Sequence, residues 1–222
     1  MRFRTSILFL LFLPCIISAQ EQDFECWTGF SLKKKMSNRF RLLNTNELRL
    51  NENSTKLESF YFDFGGEYRF NEILEAGLFY RIVQKFYYDD YSVTQHRFYF
   101  DISFTQNLKR LRLQLRNRVQ TRYSAYLTTT DGVIPQNHNR TRLSAKYNLA
   151  KSPVSPEISL EFYYNFSRME IHAFDKYRLT IGFDYKLTKK SDMTFFVRRE
   201  QELNENNPLL SHIIGISWAH DL

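Results

Sequence analysis

Over residues 177–187 the chain alternates without a break. Tyr177, Leu179, Ile181, Phe183, Tyr185 and Leu187 take the odd positions; Arg178, Thr180, Gly182, Asp184 and Lys186 take the even ones. An α-helix, at 3.6 residues per turn, would scatter both sets around its surface. A β-strand separates them onto two faces, one apolar and one polar. The pattern therefore points to a strand with two different environments on its two sides.

The same period recurs along the chain. Phe60, Phe62, Phe64, Tyr68 and Phe70 oppose Tyr61, Asp63, Glu67 and Arg69. Leu74, Ala76, Leu78, Tyr80 and Ile82 oppose Glu75, Gly77, Phe79 and Arg81, and Phe98, Phe100, Ile102 and Phe104 oppose Arg97, Tyr99, Asp101 and Ser103. Similar faces run through residues 111–119, 143–149, 158–166, 193–197 and 214–218, with a weaker candidate over 40–50. Several runs exceed ten residues. Strands of globular domains average about 5–6 residues, whereas tilted membrane-spanning strands need about 9–11. Aromatic residues make up 17% of the chain, with 21 Phe and 14 Tyr. Many sit at the ends of apolar faces, as girdles at two membrane interfaces would require. The fold class expected is all-β: an antiparallel transmembrane β-barrel with its polar face inward.

The connections alternate in length. Short ones fall near Asn71, at Asn107-Leu108, and over 151–156 and 188–191; longer ones cover 85–93, 123–139, 167–173 and 204–208. Outer-membrane barrels pair short periplasmic turns with longer extracellular loops and usually contain an even number of strands. Counting back from the C-terminus makes residues 51–55 an outer loop and the 40–50 strand the first. About ten strands result, with twelve as the alternative. Residues 27–35 would make the number odd. The domain division expected is thus a leader over 1–19, an N-terminal segment of undetermined role over 20–38, and a barrel over 39–222.

The leader has the layout of a secretory signal peptide: Arg2 and Arg4, an apolar run over 7–17, and Ala19 before the cleavage point. The run is shorter than the roughly 20 residues a spanning helix needs. Pro14 ahead of Cys15 argues against a lipidation signal. Cys26 alone remains beyond the leader, so the exported fold stands without an internal disulfide. The net charge of +7 suits contact with anionic lipid, and no basic-aromatic motif for nucleic acid is present.

The expected lumen holds Asp63, Glu67, Glu75, Asp101, Glu157, Glu161, Asp184 and Glu200 against a larger set of arginines. Arg110, Arg112, Arg116, Arg118 and Arg122 stand at even spacing, hence on one wall. Two readings follow. The five arginines form an anion track, or neighbouring carboxylates, with Asp63, Glu67, Glu75 and Asp101 as the named candidates, neutralise them and close the lumen. Unpaired, buried charges are costly. Conductance separates the readings.

Catalysis needs a nucleophile, a base and an orienting group within hydrogen-bond reach. His96, His138, His172, His212 and His220 offer no serine–histidine pair by sequence, since Ser211 and His212 point to opposite faces. No catalytic residue, metal or cofactor is expected. A barrel-embedded lipid or lipopolysaccharide hydrolase is one alternative; a soluble exported lipid-binding barrel, with the apolar face inward, is the other. The partners expected are outer-membrane lipid and, during insertion, the barrel-assembly machinery. The alternating C-terminus, ending Trp218-Ala219-His220-Asp221-Leu222, has the form that machinery recognises, though without the usual terminal aromatic.

Four stretches carry a resemblance: Trp27-Thr28-Gly29 with the lysines after it, residues 46–53 (NELRLNEN), Phe174-Asp175-Lys176-Tyr177-Arg178, and His212-Ile213-Ile214-Gly215. Together they resemble the family known as domain of unknown function 2490, found mainly in Bacteroidota. The resemblance covers essentially the whole chain beyond the leader. It implies an outer-membrane-type β-barrel and brings no established activity or catalytic residues.

Overall fold

Alternation over most of the chain leaves each strand with one face to cover and a row of backbone donors and acceptors to satisfy. A closed barrel answers both needs, because it has no edge. The computed structural model describes residues 21–87, 91–124, 135–167 and 174–222. Its strands are β1 (Gln22–Lys35), β2 (Phe40–Asn51), β3 (Lys56–Arg69), β4 (Leu74–Phe86), β5 (Ser92–Leu108), β6 (Leu111–Ser124), β7 (Gln136–Tyr147), β8 (Val154–Asn165), β9 (Phe174–Lys186), β10 (Ser191–Glu202) and β11 (Leu210–Asp221). They close into one transmembrane-type barrel, each strand paired with its sequence neighbours, and β1 paired with β11. The expected leader and the middle of the 123–139 connection lie outside the described residues.

The barrel has eleven strands rather than about ten or twelve. The expectation rested on an even number, and the residues it set aside, 20–38, supply β1. The barrel thus begins at Gln22, not at residue 39. An odd ring of up-and-down strands must contain one parallel pair. Here that pair is β1 and β11, in register from Gln22 opposite Leu210 to Lys33 opposite Asp221; every other pair is antiparallel. As a result, β1 starts at the end of the barrel where β2, β4, β6, β8 and β10 finish, the end of the 52–55 and 203–209 connections. β11 finishes at the opposite end, among the short turns.

The outward face is apolar. Leu78 is 67% exposed and Leu143 58%, and Phe60, Phe62, Phe64, Phe98, Phe100 and Val197 stand out beside them. A contiguous apolar belt of this kind is not a surface that water tolerates on a monomer. The inward neighbours are buried: Tyr61, Asp63, Tyr99, Asp101, Arg118 and Glu161. The soluble alternative, with its apolar face inward, is the inverse of this arrangement.

Two turns bear on the lumen. β5 runs to Leu108, and its hairpin with β6 turns at Lys109-Arg110, two residues later than the sequence suggested, with Lys109 in the left-handed region at φ 54. At the other end, Glu52, Asn53 and Ser54 all have positive φ. The Asp23 carboxylate of β1 accepts from the Glu52 and Asn53 amides at 3.1 and 2.8 Å, which satisfies donors that such a turn turns away from the ladder.

Candidate functional site: the charged lumen

The register places inward side chains of neighbouring strands at common levels. One level reads Glu75, Ser103, Arg116, Arg142, Glu161, Arg178 and Glu200 from β4 to β10. The next, toward the longer connections, contains Asp101, Arg118, Arg140 and Tyr163. Above it lie Asp63, Arg81, Arg97, Arg122 and Gln136.

The five arginines expected as one wall are divided among different surroundings. Arg110 sits in the β5–β6 turn, exposed, because the turn is shifted from Asn107-Leu108. Arg112 is also exposed and lines the mouth at the short-turn end with Arg69 and Glu75. Arg116 donates to Glu161 at 2.7 Å. Arg118 grips Asp101 through two parallel bonds of 2.7 Å, a fork that matches a carboxylate edge. Arg122 donates to the Gln136 side-chain oxygen. The wall is therefore a discontinuous series and not a uniform track.

Of the four acids named as its partners, Asp101 pairs with a member of that series. Asp63 accepts from Arg81, with Nε at 3.0 Å, and from the Tyr99 hydroxyl. Glu67 and Glu75 both take Arg41, at 2.5 and 2.7 Å. The principal acceptor is Glu161: Arg116 approaches at 2.7 Å, Arg140 at 3.0 Å and Arg178 at 3.6 Å. Glu200 collects Lys176 at 2.8 Å and Arg178. Sequence reading put Glu161 on the polar face but could not assign its partners, because Arg116 lies two strands away.

Aromatic rings fill space between these pairs, a feature the sequence reading missed. Trp27, Tyr61, Phe79, Tyr99 and Tyr163 are buried at positions that read as interruptions of the polar face. Arg49 lies 3.7 Å from the Trp27 ring centroid, Arg81 3.9 Å from Tyr61, Arg118 3.7 Å from Tyr99 and Arg140 4.4 Å from Tyr163. A guanidinium stacks well on a π-face while its edge hydrogen-bonds to a carboxylate. Trp27 itself donates to Glu25 at 2.8 Å. The signal was present: an aromatic residue at a polar-phase position beside arginines on adjoining strands.

Open space collects at the short-turn end. Cavities of about 500, 310 and 240 Å³ all include Arg41 and Glu75 in their walls. The smallest reaches inward past Tyr99 and Arg118 as far as Asp63 and Arg81. This is a polar vestibule that narrows into the paired charges.

The histidines are dispersed. His96 meets the Tyr80 hydroxyl at 2.7 Å, and His138 Nε2 meets Asp175 at 3.1 Å; His172 lies outside the described residues. Ser191 Oγ and His220 Nδ1 are 2.8 Å apart, a serine–histidine contact that sequence separation concealed. Ser191 is buried, and no carboxylate hydrogen-bonds to His220 among the described residues. No group of three His, Cys, Asp or Glu side chains that could hold a metal occurs among the described residues.

The model of a family described as "Protein of unknown function (DUF2490)" matches residues 24–209. No curated protein sequence matches. Among solved structures, the β domain of the Bordetella autotransporter BrkA is similar at a TM-score of 0.50 and 11% identity, over 83% of this chain and 82% of that one. That likeness concerns the barrel fold.

Proposed function

We propose, for a chain that belongs to the DUF2490 family of proteins of unknown function, a non-enzymatic role as a structural barrel of the bacterial outer membrane. Its lumen is closed to free diffusion by paired charges and stacked rings. One observation carries the closure: Glu161, with a side chain 4% exposed, accepts from Arg116 of β6 and Arg140 of β7 and pairs its charge with Arg178 of β9. Such a hub fills the lumen beside one arc of the wall, β6 to β9, and leaves less of the space a solute would need. The apolar belt supports residence in lipid, and the family resemblance and the short-turn, long-connection asymmetry support the outer membrane. In this reading lipid is the permanent partner and the assembly machinery takes β11 during insertion. The refolded protein in a planar bilayer is expected to be silent or to show brief, small openings; steady ohmic conductance of porin size rules closure out.

A second reading, a lipid hydrolase, is favoured by the Ser191–His220 contact. Its weakness is chemical: among the described residues the base has no third group to orient it, and the nucleophile is buried. Phospholipid turnover by the refolded barrel that disappears in Ser191→Ala would establish it.

A further inference from the structure

Across β4, β5 and β6 the register sets Arg81 beside Arg97, and Arg97 beside Arg122. All three occupy inward positions, so three guanidiniums share one level on adjacent strands. Like charges directly opposed in this way repel. Arg81 is neutralised by Asp63. Arg97 and Arg122 are not: each donates to an amide oxygen, of Gln95 and Gln136 respectively. The Nε of each is buried with no hydrogen-bond partner. The charged side chains that act most strongly on Arg97 are Arg81, Arg122, Arg49 and Arg140, all of its own sign. Tyr87 and, from β9, Asp175 act on Arg122, but Asp175 lies beyond ion-pair distance; its Oδ2 meets His138 at 3.1 Å and its Oδ1 has no hydrogen-bond partner.

This level sets two such arginines side by side; Arg198 of β10, which also has no carboxylate within ion-pair distance among the described residues and donates to Thr180, has no second one beside it. Arg116, Arg118 and Arg178 each have a carboxylate. Arg97 and Arg122 have none within ion-pair distance among the described residues. A guanidinium offers a planar fork of donors suited to two oxygens of one anion. Neighbouring strands lie about 4.8 Å apart, so two such forks can close on one tetrahedral or planar oxyanion from two sides. The closed lumen described above concerns solute passage; this level concerns a resident ligand.

We propose that Arg97 and Arg122 bind an oxyanion, a phosphate or carboxylate group, between β5 and β6. Arg81 and its Asp63 counter-ion form the flank of the site. The phosphate could be a free solute or part of a lipid headgroup, and the test separates the two.

The test uses the full chain refolded in neutral detergent, with thermal unfolding followed by circular dichroism. Inorganic phosphate is titrated against chloride at constant ionic strength. The midpoint is expected to rise saturably, and Arg97→Gln and Arg122→Gln are each expected to weaken the apparent affinity at least tenfold. Arg112→Gln, at the opposite mouth, is expected to leave it unchanged. No phosphate-dependent shift, or the same shift in all three variants, overturns the proposal. Should Arg97→Gln not refold, Arg97→Lys keeps the charge but lacks the fork, and undiminished binding by Arg97→Lys together with Arg122→Gln overturns it equally. A second arm replaces phosphate by micelles doped with phosphatidylglycerol. Stabilisation lost in the Arg97 and Arg122 variants identifies a headgroup, whereas stabilisation by free phosphate alone identifies a solute. A headgroup effect that survives in both variants, with no response to phosphate, counts against the site. These readouts do not depend on conductance, so an open lumen would defeat the closed-barrel reading and leave this one standing.

Discussion

The ring of Phe79 covers Gly65 on the adjacent strand: a Cβ on the glycine would lie 2.2 Å from the Phe79 Cδ1. The same ring stacks on Tyr99, with centroids 4.9 Å apart and planes 12° apart, and Tyr99 donates to Asp63. The missing side chain at Gly65 therefore gives an inward aromatic room to lie against the wall and to buttress the hydrogen-bonded end of the lumen network. Gly65→Ala is expected to destabilise the barrel by about 1–3 kcal/mol, the usual cost of overpacking, in reversible urea unfolding from detergent or lipid. Phe79→Ala should not restore it in the double variant, because the new Cβ also meets the Leu78 carbonyl oxygen at 2.5 Å. Gly77→Ala is the contrast. There the close contacts are the Phe79 ring, at 2.5 Å, and the Glu67 side chain, at 3.0 Å, so Phe79→Ala should recover part of the loss. Equal rescue at both glycines would contradict the backbone clash at Gly65.

Ion pairs at different depths should differ in their response to neutralisation. Arg118 and Asp101 are each 9% exposed in their side chains, with two bonds between them. Removing one partner strands the other in a medium of low dielectric, which costs about 3–5 kcal/mol. Asp101→Asn is expected to lose an amount of that order, and Asp101→Leu with Arg118→Met to regain most of it. At the short-turn mouth, Arg41 is 33% exposed, and water screens its contact with Glu67. Glu67→Gln is expected to cost about 0–1 kcal/mol. Unfolding midpoints for the four proteins decide the matter, and a larger loss at Glu67 than at Asp101 would reverse the assignment of depth.

The outer face was legible because it obeys one rule along most strands: Phe60, Phe62 and Phe64, or Ile181 and Phe183, repeat at period two and stand outward, with the bonded Asn117, Asn139 and Thr141 as an exception on β6 and β7. The inner face obeys no single rule. Tyr61, Phe79 and Tyr99 occupy polar-phase positions yet are buried, since a narrow lumen needs volume as well as charge. Trp27 inward beside Phe24 and Phe30 outward gives β1 aromatic rings on both faces, so its alternation was faint. The even-number rule then argued against counting it. Pairing was hidden for a different reason. Arg118 and Asp101 face each other across one strand boundary, but Arg116 reaches Glu161 past β7, and no local pattern encodes that distance. The shift of the β5–β6 turn to Lys109-Arg110, a two-residue slip that preserves the faces, was enough to remove Arg110 from the wall.

Orientation can be tested by adding charge to each face. Phe62 lies near the middle of β3 and is 44% exposed on the outer side. In a lipid-embedded barrel, Phe62→Arg at the midplane is expected to cost about 2–4 kcal/mol when unfolding is measured from bilayers. The same change at Leu57, near the strand end and also outward, should cost about 0–1 kcal/mol. If this outward face instead met water, both substitutions would be solvated and depth would not matter. Two equal, small effects would therefore remove the basis for placing this face in lipid.

The parallel closure makes the last prediction, because it depends on one pair of strands. Cys26 of β1 lies opposite Ile214 of β11. Cys26 falls in phase with the outward Phe24 and Phe30, and Ile214 is 42% exposed on the same face. Neighbouring strands lie roughly 4.8 Å apart, within the 4.4–6.8 Å between Cα atoms that a disulfide accepts. In a Cys15→Ser background, Ile214→Cys is expected to oxidise to an intramolecular bridge that joins the two ends of the sheet. The bridged chain should migrate faster than its reduced form after complete denaturation, since a long segment is then looped. Ile213→Cys is the control: Ile213 is 2% exposed and points inward, and with Cys26 outward the two thiols lie on opposite sides of the wall. If the barrel instead closed by pairing β2 with β11 and left β1 outside the wall, Cys26 would have no fixed neighbour. Neither variant would then bridge efficiently, and the strand count would fall back to ten.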